Sequence, residues 1–183
     1  MLHADPLEQI PQIPTSSVFL LVASQQITEP IFHKTVLLVT KHGNTGPIGF
    51  ILNRPQSITL DKIFPAYPAA SKFSLFNGGP VYTEQISCLV RGGDAAEGSV
   101  TIFKDIYLAF DTSHLAELLG GKQRYTDLRV MHGVAAWARG QLENEIKRGD
   151  WFVMPFEDVV IFDRPPDEMW QELHRRANHA LEF

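Results

Sequence analysis

Asparagine and arginine stand side by side at the end of an apolar run in GPIGFILNRP, residues 46–55. Asn53 carries an amide that both donates and accepts, and Arg54 carries a permanent planar cation with several N–H donors. Two readings are open. Either Pro55 ends a strand while Asn53 bonds local backbone and Arg54 meets water, or the pair forms the polar rim of an apolar ligand cleft. Gly78-Gly79-Pro80 poses the same alternative, since adjacent glycines allow unusual backbone angles and close approach but also suit a tightly packed turn. Trp137-Ala138-Arg139-Gly140-Gln141 adds an aromatic ring and a helix start whose free N–H groups can accept an anion.

Other residues capable of chemistry fall into weaker patterns. The seven histidines (His3, His33, His42, His114, His132, His174 and His179) include no HExxH and no closely spaced Cys/His pair, so no metal site is expected. The single cysteine, Cys88, lies among apolar neighbours in ISCLV, where burial would leave it inert. No G-x-S-x-G elbow is present. NGGP and RGGDAAEG match neither phosphate-binding glycine pattern, so no cofactor is expected.

Strands must position most of these groups. SVFLLVA (17–23) and KTVLLVTKH (34–42) are branched, apolar and strand-length. The second runs through His42-Gly43-Asn44-Thr45-Gly46 into IGFILN, which predicts a β-hairpin over 34–53. Pro30 interrupts TEPIFHK. TLDKIF predicts a short helix capped by Thr59, and SLFNGGPV a strand entering a turn. ISCLVRGG, SVTIF and IYLAF predict three short strands, LRVMHGVAAW another, and WFVMP and DVVIF two more. Helices are expected at SHLAELLGG, with Ser113 as cap, and at GQLENEIKRGDW, ended by Gly149. A last helix opens at Pro165-Pro166 with the stripe Met169, Trp170, Leu173, Ala177, Ala180 and Leu181. Many hairpin-spaced strands with few helices predict an α+β fold whose sheet is largely antiparallel, curved and barrel-like.

The 183 residues suit one domain, with 1–16 as a flexible arm and 17–183 as the folded unit. No apolar run approaches the roughly 20 residues of a membrane helix. The N-terminus lacks the basic and apolar regions of a secretory signal. With one cysteine as well, the expected compartment is the cytoplasm. A net charge of −5 with scattered lysine and arginine disfavours nucleic acid as a partner.

Four segments taken together, LLVASQQITEPIFHKTVLLVTKH, GPIGFILNRP, NGGPV and GVAAWARGQLENEIKRGDW, are similar in order and spacing to the AlgH/YqgE family of bacterial proteins. The resemblance spans most of residues 17–153 and implies a compact α+β domain with a barrel-like sheet. It also implies labels such as transcriptional regulator, attached through alginate production, without an established catalytic mechanism. The expectation is a non-enzymatic binding module with an indirect regulatory role. Its candidate surface combines Asn53, Arg54, Gly78, Gly79, Trp137 and Gln141 around a small anion or the acidic terminus of a protein partner. An enzyme of unrecognised hydrolase or transferase mechanism, using His132 and Glu145 as proton carriers, is the alternative, and direct DNA regulation a third reading.

Overall fold

The structure, a computed structural model, describes residues 18–41, 46–157 and 161–181. The expected N-terminal arm and most of the first hairpin turn lie outside these residues. Among the described residues ten strands form one sheet. They are β1 (Val18–Ala23), β2 (Val36–Lys41), β3 (Pro47–Ile51), β4 (Pro55–Thr59) and β5 (Ser74–Asn77), followed by β6 (Val81–Arg91), β7 (Val100–Phe103), β8 (Ile106–Ala109), β9 (Asp127–Ala136) and β10 (Trp151–Met154). Eight run in the order β10-β1-β2-β3-β9-β6-β8-β7, with β4 and β5 as a side ribbon. Among the described residues the pairings are antiparallel except that of β5 with β9. The sheet curls into a half-barrel, and with helices α1 (Thr112–Leu119), α2 (Gln141–Arg148) and α3 (Pro166–Ala180) the fold is α+β.

Alternation along the strands divides the apolar residues between the two faces. Leu20, Val22, Val36, Leu38, Phe50, Leu52, Leu89 and Met131 fill the concave face, closed at one end by Met169 and Leu173 of α3. Their neighbours Phe19, Leu21, Leu37, Val39 and Ile51 face the other way, under Leu142 and Ile146 of α2. Cys88, Val90 and Val130 pack on the outer face against Leu115, Leu118 and Leu119 of α1. Each such fully buried side chain contributes about 1.5–3 kcal/mol, so three small layers suffice to hold three short helices.

Some local expectations need correction. The cap of α1 is Asp111, whose carboxylate accepts from the Ser113 amide at 2.9 Å; Ser113 is inside the helix. Ile161 and Phe162, expected at the end of a strand, are helical. Leu60–Lys62 is a single 3₁₀ turn, and the Thr59 hydroxyl bonds the Asp61 carboxylate rather than capping backbone. Ala180 and Leu181 are both exposed, Leu181 at 70%, so the buried stripe of α3 ends at Ala177. Among the described residues no helix is long and apolar enough to cross a membrane.

Candidate functional site

Asn53 lies two residues beyond the end of β3 and is 6% exposed, with both ends of its amide spent. Its Oδ1 accepts from the Val36 amide and its Nδ2 donates to the Lys34 carbonyl, each at 2.9 Å. Half-buried Arg54 donates from Nη1 to the Lys34 carbonyl at 3.4 Å and from Nη2 to the His33 carbonyl. The two side chains therefore clamp the turn at 33–34, where Lys34 holds a left-handed φ of 54°. Such a conformation costs a non-glycine residue about 1–3 kcal/mol and persists where its surroundings enforce it. The rest of the 24–35 loop is equally fixed. His33 Nδ1 donates to the Ile27 carbonyl at 2.8 Å, and the Thr35 hydroxyl to the Phe32 carbonyl at 2.7 Å.

Gly78 and Gly79 form a junction of strands. The Gly78 amide donates to the His132 carbonyl at 2.8 Å, while its carbonyl accepts from Ile51 at 2.9 Å, so one residue joins β9 to β3. Gly79 has φ 154°, and a Cβ there would stand 2.1 Å from the Val134 carbonyl carbon. Only glycine permits this backbone-on-backbone contact. Here β5 leaves the flank of β9, and Ala135 and Ala136 go on to pair with Gly49 and Ile48 of β3.

That second pairing delivers Trp137 to the head of α2. Gly49 makes room for its indole, since a Cβ at 49 would lie 2.9 Å from two ring carbons. Trp137 is 5% exposed, and its Nε1–H donates to Glu145 Oε2 at 2.9 Å. Trp151, also 5% exposed, donates to the same oxygen at 2.9 Å, and the two rings meet edge to face. Gln141 donates to Glu145 Oε1 at 3.0 Å and accepts from the Ala138 amide at 3.0 Å, which satisfies one free N–H before the helix. Phe32 meets Trp151 edge to face at 5.9 Å.

A cavity of about 380 Å³ opens between this cluster and the 24–35 loop. Trp137, Gln141, Glu145 and Trp151 line one side, and Thr28, Glu29 and Phe32 the other. Arg148 and Asp150 complete the rim, paired with each other through Arg148 Nε at 3.0 Å. Of the six sequence-derived candidates, the structure brings Trp137 and Gln141 into this cavity. Asn53, Arg54, Gly78 and Gly79 do not line it. Asn53 and Arg54 bear on it indirectly, because the loop they clamp carries Phe32 and Glu29.

Other groups singled out by type lie elsewhere. His132 donates from Nδ1 to the Thr83 carbonyl at 3.2 Å and lines no wall shared with Glu145. Cys88 is 1% exposed, and burial pushes its thiol up to about 12. His114 bonds the buried Tyr107 hydroxyl at 2.8 Å. Among the described residues no three His, Cys, Asp or Glu side chains cluster as metal ligands.

Comparison with known proteins agrees with this architecture. The family model described as AlgH-like matches residues 20–182. The chain belongs to the AlgH-like family. It is 35% identical over 156 residues to a UPF0301 protein of Chlamydia trachomatis, covering 84% of this chain and 82% of the relative. A UPF0301 protein of Chlorobium phaeobacteroides is 32% identical over 152 residues, covering 82% and 81%. The solution structure of AlgH from Pseudomonas aeruginosa superimposes with a TM-score of 0.74 at 24% identity, over 91% of each chain. The crystal structure of protein DIP2367 from Corynebacterium diphtheriae gives 0.73 at 22%, over 96% and 94%. At those identities the two structures speak to the fold alone.

Within this AlgH-like fold, the cavity residues that the sequence does not single out include Phe32, Glu29 and Trp151. Glu145 enters the sequence reading only as a proton carrier. One signal does exist in the chain. Trp137 and Trp151 flank Glu145 at eight and six residues, and a buried indole requires an acceptor for its N–H. A carboxylate on the intervening helix is the group able to take both.

Proposed function

We propose that this AlgH-like chain is a non-enzymatic binding module with an indirect regulatory role, and that its ligand enters the cavity between the 24–35 loop and α2. Glu145 carries the reading. A carboxylate has about four acceptor positions, and three are taken by Trp137, Trp151 and Gln141. The fourth remains for a donor arriving through the cavity. The ordered indole and amide donors fix the carboxylate in advance, which lowers the ordering cost of binding. Glu29, Glu145 and Asp150 at the lining outnumber Arg148, which is itself paired, so a cation suits this cavity better than an anion. A primary amine carried on an apolar or aromatic body fits the Phe32–Trp151 wall. The anion expected from the sequence would have to use Arg54, outside the cavity. The proposed setting is the cytoplasm, where the buried Cys88 thiol stays reduced.

Thermal-shift measurements with 2-phenylethylamine and its size-matched anion 3-phenylpropionate test the reading. The amine should stabilise the wild type and Arg54→Ala, each relative to its own unliganded form, and leave Glu145→Gln unmoved. Stabilisation by 3-phenylpropionate that disappears in Arg54→Ala, with no response to the amine, would return the site to Asn53 and Arg54.

A further inference from the structure

A second cavity, of about 470 Å³, lies on the opposite face of β9 and shares no lining residue with the first. Val134 faces it, whereas the next residue, Ala135, faces the α2 side, as alternation along a strand requires. The cavity is the open mouth of the half-barrel. Thr40 and Ile48 are register partners across β2 and β3, Phe50 is two residues on, and Ser87 stands on β6 opposite Met131. All point to the concave side that holds the core at its other end. Phe110, 45% exposed, leans over the opening 6.2 Å from Phe50.

One group in this mouth is out of balance. Ser87 is 5% exposed, and its buried hydroxyl has no hydrogen-bond partner among the described residues. A buried hydroxyl left unpaired keeps its desolvation cost uncompensated, and native proteins leave few such groups. Barrel mouths are also preferred ligand sites, and the volume falls in the range of roughly 300–1,000 Å³ for small-molecule pockets.

We propose that the half-barrel mouth is a second binding site, for a small neutral molecule with an apolar body and one hydrogen-bonding group that reaches Ser87. The charge follows from the lining. Among the described residues no lysine, arginine or histidine contributes to it, and the ionisable side chain that does, Glu84, sits exposed at the rim. A carboxylate would enter without a counter-charge, and an ammonium would leave water for walls of Ile48, Phe50, Phe110 and Val134. An alcohol, amide or ketone exchanges water for the Ser87 hydroxyl, which both donates and accepts.

Cyclohexanol, cyclohexane and cyclohexanecarboxylate are matched probes for the full chain, read by amide chemical shifts in NMR titration. Cyclohexanol and cyclohexane should shift Ile48, Phe50, Ser87 and Val134, and the carboxylate should not. Ser87→Ala should weaken cyclohexanol about three- to tenfold and leave cyclohexane unchanged, as expected for one neutral hydrogen bond. The same substitution should leave the melting temperature equal or higher, because the hydroxyl it removes is unpaired. Val134→Phe, which fills the mouth, should abolish both neutral probes while the rest of the spectrum is retained. Cyclohexanol affinity unaltered by Ser87→Ala, shifts confined to other regions, or a lower melting temperature for Ser87→Ala would each overturn the proposal.

Discussion

Replacing Asn53 by alanine removes two bonds that no neighbouring side chain can replace. The Val36 amide loses its only side-chain acceptor at 2.9 Å in a fully buried position, and the Lys34 carbonyl keeps only the long 3.4 Å contact with Arg54 Nη1 and whatever water reaches it. A buried group left unpaired costs about 1–3 kcal/mol. The amide should bear close to the full penalty and the more exposed carbonyl a fraction of it, giving about 2–4 kcal/mol. For a chain of this size that is a fall in melting temperature of about 5–15 °C. The left-handed turn at Lys34 loses its enforcement as well, so the 24–35 loop should open before the sheet does. The assay is hydrogen exchange on Asn53→Ala, with urea unfolding alongside. Val36 and the loop amides should exchange faster, while β6 and β9 amides change only by the global loss of stability. Tryptophan fluorescence should shift red as Phe32 leaves Trp151. A loss under about 0.5 kcal/mol with Val36 still protected would refute the reasoning, since it would mean that the backbone holds the turn unaided.

Gly49→Ala should push the Trp137 indole off its position, at a cost of about 1–3 kcal/mol for overpacking; urea unfolding gives the loss, and a changed fluorescence maximum places it at Trp137. Native Cys88 should resist alkylation by iodoacetamide at pH 8 and react stoichiometrically once the chain is unfolded in urea. Because its folded pKa of about 12 lies above the ordinary 9.0, the folded chain keeps a proton that the unfolded chain sheds. Stability from this group is complete below pH 9 and declines as pH rises toward 12, so Cys88→Ala should flatten the alkaline limb of a urea-midpoint profile. His174 lies between Trp170 and Phe152, and burial lowers its pKa from 6.5. Stability should therefore fall as pH drops below 6.5, and His174→Leu should remove that part of the acid dependence.

The strands were legible because branched apolar runs such as VFLLVA and VLLVTK have few other outcomes at that length. The topology was less so. LRVMHGVAAW reads plainly as a strand, but nothing local says that its first half borders β5 and its second half β3. That division depends on Gly78 and Gly79 meeting Gly133, pairs about 55 residues apart, at backbone distances where a side chain would collide. Asn53 shows the same limit. Sequence reasoning offered it a local bond or a ligand, whereas its partners Val36 and Lys34 lie 17 and 19 residues back. Ser113 and Asp111 are both good caps two residues apart, and only the carboxylate's reach to the Ser113 amide decides between them. PQSIT gives little strand signal, being polar and opening with proline, which an edge ribbon such as β4 tolerates.

The strand shared by β3, β5 and β6 has a kinetic consequence. Until residues 127–136 are in place, three strands made much earlier expose unpaired N–H and C=O groups along their flanks. The last closure, β10 onto β1, joins Leu20 to Met154. Such distant pairings fold slowly, and an apolar strand waiting for its neighbour is open to the wrong one. Substitutions in Gly133 or Val134 should therefore reduce the yield of folded protein during synthesis more than they reduce the stability of molecules that have already folded.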